Sequence, residues 1–101
     1  MKTRRVQREI RREQILNAAI DLARTVGYTQ IRRDAVAERA GCSTGLVSLY
    51  YSTMVQLQRA VMRAAVHRPD LVVLAQGLAA NDSHARNAPS DVKRAAAELL
   101  V

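Results

Sequence analysis

Residues 31–51 read IRRDAVAERAGCSTGLVSLYY, and the placing of small and apolar residues in this stretch decides the fold. Ile31, Ala35, Val36 and Ala40 fall on one helical face, so a helix is expected over residues 31–40. Gly41 follows where a tight turn between helices needs a positive φ. Cys42 is small and apolar, and Ser43 carries a side-chain oxygen suited to cap a second helix over residues 44–51. Val47 is that helix's expected inward anchor, and Ala37 and Gly41 are small where the two helices should approach closely. Two short helices joined by a Gly-containing turn are the parts of a helix-turn-helix. An ordinary helical hairpin shares them.

Upstream, Ile15, Ala19, Leu22, Ala23 and Val26 recur with helical spacing, and Ile10, Leu16 and Ile20 widen the stripe. One helix is therefore expected from about Thr3 to Val26, ended by Gly27, with Tyr28 folding back onto the core. Thr29 is the nearest capping side chain for the next helix, although it sits early. Downstream, Ser52 or Thr53 opens a fourth helix that runs to about His67 and stops at Pro69, with Val55, Leu57, Val61, Met62 and Ala65 as its stripe. Residues 71–80, LVVLAQGLAA, are apolar on nearly every face, as in a helix covered from several sides. Cover from the fourth helix and from a second subunit is expected. Residues 81–90 read as a polar connection, and Ser90 as the cap of a last helix carrying Val92, Ala95, Ala96, Leu99 and Leu100.

Composition agrees with an all-α fold. The 101 residues are 49% hydrophobic, yet the only aromatics are three Tyr, and Gly and Pro are scarce, so small aliphatic residues must fill the interior. Lys and Arg number 16 against 9 Asp and Glu, a net charge of +7 that favours polyanionic partners. Six basic residues, Lys2, Arg4, Arg5, Arg8, Arg11 and Arg12, crowd the first twelve positions against the single acid Glu9. The lone Cys42 excludes an intrachain disulfide and a Cys-based zinc site, and His67 and His84 lack ligand spacing. No signal-peptide pattern or membrane-length apolar run is present. A cytoplasmic, nucleoid-associated protein without metal or cofactor is expected.

The stretch ILNAAIDLARTVGYTQIRRDAVAERAGCSTGLVSLYYSTMVQL, residues 15–57, resembles the DNA-binding domain of the tetracycline-repressor family. The resemblance rests on Ala18-Ala19, Gly27-Tyr28, Val36-Ala37, Ala40-Gly41-Cys42-Ser43, Gly45, Tyr50-Tyr51 and Leu57, aligned without a gap over about half the chain. It implies a homeodomain-like helix-turn-helix domain of three or four helices at residues 1–68; the apolar stretch after it makes 69–101 a short extension of two helices expected to dimerise. It also implies that the third helix enters the major groove, with Ser43, Thr44, Gly45, Leu46, Ser48 and Leu49 in the groove-facing segment. Thr44 and Ser48 would bond to bases or phosphates, and Leu46 or Leu49 would meet thymine methyls. Tyr50 stands at a phosphate-contacting position and Tyr51 at one that packs inside. Arg32 and Arg33 would hold phosphates at the start of the second helix. The chain departs from the family pattern at Met54, where a Lys is common, and at Leu46 and Ser48. The basic arm, with Arg4 and Arg5, is expected to make up for the missing clamp by reaching into a minor groove.

These residues predict a sequence-specific regulator of transcription, foremost a repressor that binds palindromic double-stranded DNA as a homodimer. The 33 residues after Arg68 are too few to enclose a small-molecule pocket, so no drug-like effector is expected. The alternative is a protein-interaction module of antirepressor or antitoxin type built on the same helices. A membrane-surface peptide is disfavoured by the lack of Trp or Phe. An enzyme is disfavoured by the lack of paired carboxylates, a nucleophile–base set or a phosphate-cradling loop.

Overall fold

The apolar spacing of residues 15–23 is realised as a helix whose inner face is fully covered: Ile15, Ala18, Ala19, Ile20 and Ala23 are all buried. The computed structural model describes residues 2–101, with side chains from Arg4 onward, so the Lys2 side chain counted in the basic arm lies outside the described residues. Helix α1 is continuous over Lys2–Val26. Six further helices follow among the described residues: α2 (Arg33–Ala40), α3 (Thr44–Tyr50), α4 (Met54–His67), α5 (Leu71–Ala79), α6 (Ser83–Arg86) and α7 (Ser90–Glu98). The fold is all-α.

Buried residues of α1 to α7 belong to one hydrophobic cluster, from Ile15 through Val36, Val47, Leu57 and Leu74 to Ala96. Residues 4–10 stand clear of it, exposed on every face. That projection makes the molecule 45 Å long and gives a radius of gyration of 14.0 Å, against about 13 Å for a chain of this length without an arm.

Helix ends follow local chemistry. Gly27 takes φ +94° and ends α1, and Tyr28 turns inward to 7% exposure. Burial, and then the neighbouring Asp82 carboxylate, raise the pKa of the Tyr28 phenol and hold it protonated. Thr53 caps α4 through its side chain, which accepts from the Gln56 amide. Helix α2 begins two residues later than the sequence suggested, so Thr29 is too distant to cap it. Arg32 stands at the N-cap without a side-chain hydrogen bond, and Asp34 accepts from the Ala35 amide instead. Ser90 is likewise inside α7 rather than capping it, because the extended residue before the helix is Pro89.

Residues 81–90 are more ordered than a polar connection. Asn81 adopts φ +59°. The Asn81 amide donates to the Leu78 carbonyl and the Asp82 amide to that of Gly77, a paired helix-ending motif that tolerates Asn in the left-handed region. Asp82 then caps the one-turn helix α6 by accepting from the His84 and Ala85 amides. Ala85 and Ala88 are thereby buried. Helix α5 is covered within the chain by α1, α4, α6 and α7, and Val72 stays 45% exposed.

Gly77 marks the closest approach between these elements. A Cβ there would lie 2.6 Å from Met62 Cε and 2.8 Å from Ala85 Cβ. The Met62 tip can shift, but Ala85 moves only with α6. Gly77→Ala is therefore expected to destabilise by about 1–2 kcal/mol, overpacking outweighing the helix propensity gained. Urea unfolding checks it, and a stabilised variant would contradict the packing described.

Several apolar residues assigned to inner stripes are instead exposed by about half: Ile10, Val26, Val55, Leu99 and Leu100. Periodicity fixes the direction in which a side chain points, not whether a neighbour reaches that level of the helix.

Candidate nucleic-acid interface

The turn between α2 and α3 is built from local hydrogen bonds. Gly41 sits at φ 71°, ψ 37°. Its amide donates to the Glu38 carbonyl, and the Cys42 amide donates to that of Ala37. Glycine is required here by backbone conformation alone, since no atom lies within 4 Å of where a Cβ would stand. The close approach of helices expected at Gly41 is absent, while Ala37 is buried at 3% exposure. Gly41→Ala should cost about 1 kcal/mol of left-handed strain, and Gly41→Asn distinctly less. Equal losses for the two in thermal unfolding would contradict this account.

Ser43 caps α3, its Oγ accepting from the Leu46 amide at 3.1 Å. Val47 (fully buried) and Tyr51 (7% exposed) fix α3 to the core. The opposite side faces outward: Ser43, Thr44 and Gly45 are exposed, and Leu49 is 74% exposed. A Cβ at Gly45 would meet only Ser43 Oγ, at 3.8 Å, so nothing inside the chain demands glycine at that point.

Arg33 and Ser48 meet each other. The Arg33 Nη1 donates to Ser48 Oγ at 2.9 Å and its Nη2 to the Ser52 carbonyl at 3.4 Å. Its Nε is buried without a hydrogen-bond partner. Arg33, which the sequence marks as a phosphate-holding side chain, here braces α2 against α3. Ser48 accepts that bond and keeps its own proton to donate. Arg32 is free of such a tie; its side chain is 80% exposed, with Asp34 at 3.7 Å.

Arg4 and Arg5 are exposed on the projecting turns of α1. In the sequence their basic neighbours are legible only as charge. Arg4, Gln7, Arg8, Ile10, Arg11 and Gln14 form one wall of an open groove of about 730 Å³, whose other wall is Leu46 and Tyr50 of α3. The Arg12 guanidinium lies 5.5 Å from the Tyr50 ring centre and 5.6 Å from that of Tyr51, within cation–π range. Burial raises the pKa of the Tyr51 phenol, and Arg12 partly counters the shift. The spacing of arginines in the arm was the available signal, but their facing α3 is a tertiary fact.

Among the described residues no cluster of His, Cys, Asp or Glu could hold a metal ion, and no helix is long and apolar enough to cross a membrane. No protein-family model, curated protein or solved structure matches this chain.

Proposed function

We propose that the chain is a sequence-specific DNA-binding regulator, foremost a repressor, that lays α3 in the major groove and binds as a homodimer in the cytoplasm. The observation that carries this reading is α3 itself. It is anchored from behind by Val47 and Tyr51, capped by Ser43, and offers Thr44, Gly45 and Leu49 to solvent beside a strongly basic stretch of α1.

Gly45 supports the reading in energetic terms. A glycine within a helix costs about 1 kcal/mol relative to alanine, and no contact within the chain calls for it. Close approach of an outside backbone or base edge would. Thr44 supplies a hydrogen-bonding hydroxyl, Leu49 an apolar surface for a thymine methyl, and Ser48 a hydroxyl that accepts from Arg33 and keeps its proton to donate. Arg32 is left to meet phosphate. The tetracycline-repressor resemblance of residues 15–57 agrees with this use of α3, and 69–101 would then help to join two subunits.

Selection of bound fragments from a random duplex pool tests the proposal. Enrichment of an inverted repeat, with half-sites about one helical turn (~34 Å) apart, is expected. Binding without preference over random competitor at moderate ionic strength would overturn it. Recovery of monomer alone in sedimentation with the selected duplex would remove the dimer.

A further inference from the structure

We infer that the groove between the projecting half of α1 and the recognition helix α3 is the seat of one sugar–phosphate strand of the bound duplex, held across two to three consecutive phosphates. This rests on the DNA-binding reading above and assigns the arm a different task from probing a minor groove.

Width decides first. The arm is helical from Lys2 onward, and a helix with side chains is 10–12 Å across. The minor groove is about 6 Å wide and the major groove about 12 Å. An intact helical arm therefore does not enter the minor groove, and the major groove beside it is claimed by α3. What remains is the backbone ridge between the two grooves, and a cleft with α1 on one side and α3 on the other is shaped to straddle it.

Charge decides next. Arg4, Arg8 and Arg11 lie within roughly 60° of arc at 3.6 residues per turn, and all three line the groove with no acidic side chain among its lining residues. Glu9 and Glu13 fall on the far side of the helix, and Glu13 is held by Arg68 at 2.8 Å. From Arg4 to Arg11 the helix rises about 10 Å, and with neighbouring phosphates about 7 Å apart along a strand the three long side chains cover two to three of them. Gln7 and Gln14 add uncharged donors on the same wall. The facing wall suits sugar rather than phosphate: Leu46 is apolar and half-buried, and Tyr50 presents a ring over which Arg12 already lies.

The assignment divides α3 between two tasks. Leu46 and Tyr50 turn toward the strand in the groove, leaving base edges to Thr44, Gly45 and Leu49. Leu46 accordingly packs against deoxyribose and not against a thymine methyl.

The test uses the full chain, the duplex it selects and a random duplex of equal length, with affinity measured across a series of salt concentrations. Glutamine keeps helix propensity, so the variant carrying Arg4→Gln, Arg8→Gln and Arg11→Gln should fold with unchanged circular dichroism. Its log–log salt slope is expected to fall in magnitude by about 2–3, with affinity down on the order of 100-fold near 0.15 M salt. Discrimination between the two duplexes should stay as in the wild type, because phosphate contacts carry no sequence. Arg5→Gln, on another face of α1, should change the slope by less than one contact. An unchanged slope in the triple variant, with wild-type discrimination intact, would overturn the groove assignment and leave the reading of α3 standing. Wild-type protein without sequence preference would overturn that reading instead, and the slope on random duplex would still decide the groove. Tighter binding to the separated strand than to the duplex would overturn the proposed occupant.

Discussion

Leu74→Ala is expected to lower the unfolding free energy by about 3 kcal/mol and to do so for the whole chain in one transition. Leu74 is fully buried on α5 and belongs to the same apolar cluster as Ile15, Val47 and Leu57. Truncation removes three heavy atoms, Cγ and both Cδ, from a site closed by α1, α4, α6 and α7, where collapse is restricted. Buried Leu→Ala losses run from roughly 2 to 5 kcal/mol. For a domain of this size 3 kcal/mol is a shift of about 15 °C in Tm and a large share of the usual 5–15 kcal/mol total. The three tyrosines lie between residues 28 and 51, far in sequence from the substitution, so their fluorescence reports on the segment that carries α2 and α3. Coincident midpoints by fluorescence and circular dichroism are expected. A shift in circular dichroism alone would mean that α5 to α7 unfold as a separate unit.

The parts of the fold that the sequence makes legible are those fixed within a turn or two of chain. Gly41 could be read as a left-handed turn and Ser43 and Thr53 as caps because each acts on backbone groups two or three residues away. The all-α architecture followed from spacing and composition. The hidden features are of two kinds. One is polar sequence that orders by capping: NDSHARNAPS looks like linker, yet Asp82 holds a helical turn and two alanines pack beneath it. The other is pairing across long separations. Arg33 and Ser48 each look like an exposed DNA contact when read singly, and only the packing of α2 on α3 brings them to 2.9 Å. The groove arginines are legible as charge, but not as a wall facing Leu46 and Tyr50.

The most consequential long-range pairing is at Asp70, and Asp70→Ala is expected to cost about 2–3 kcal/mol. Its side chain is 6% exposed, and Oδ2 receives both Nε and Nη2 of Arg24 at 2.7 Å. Oδ1 accepts from the Val73 amide, which caps α5. Alanine removes the cap, worth about 1 kcal/mol, and the ion pair. Arg24 is half exposed and also meets Asp21 at 3.1 Å, so the pair's contribution falls between the small value of a surface bridge and the several kcal/mol of a buried one. Asp70→Asn separates the two effects: asparagine still caps, and the loss should shrink to about 1 kcal/mol. Arg24→Ala leaves the carboxylate buried and unpaired, and should cost at least as much as Asp70→Asn. The position of this pair gives it wider reach. Gln76 of α5 donates to the Ala23 carbonyl at 2.7 Å and accepts from the Tyr28 amide, while the Tyr28 hydroxyl donates to Asp82. Every one of these bridges grips the last turn of α1 or its exit toward α2, so residues 69–101 set the direction from which α2 and α3 leave the core. Faster hydrogen exchange at Val73 and Tyr28 in Asp70→Ala, with α3 amides affected less, is the expected pattern. A loss under 0.5 kcal/mol with exchange unchanged would mean that the clamp is ornamental and that apolar packing alone orients the pair.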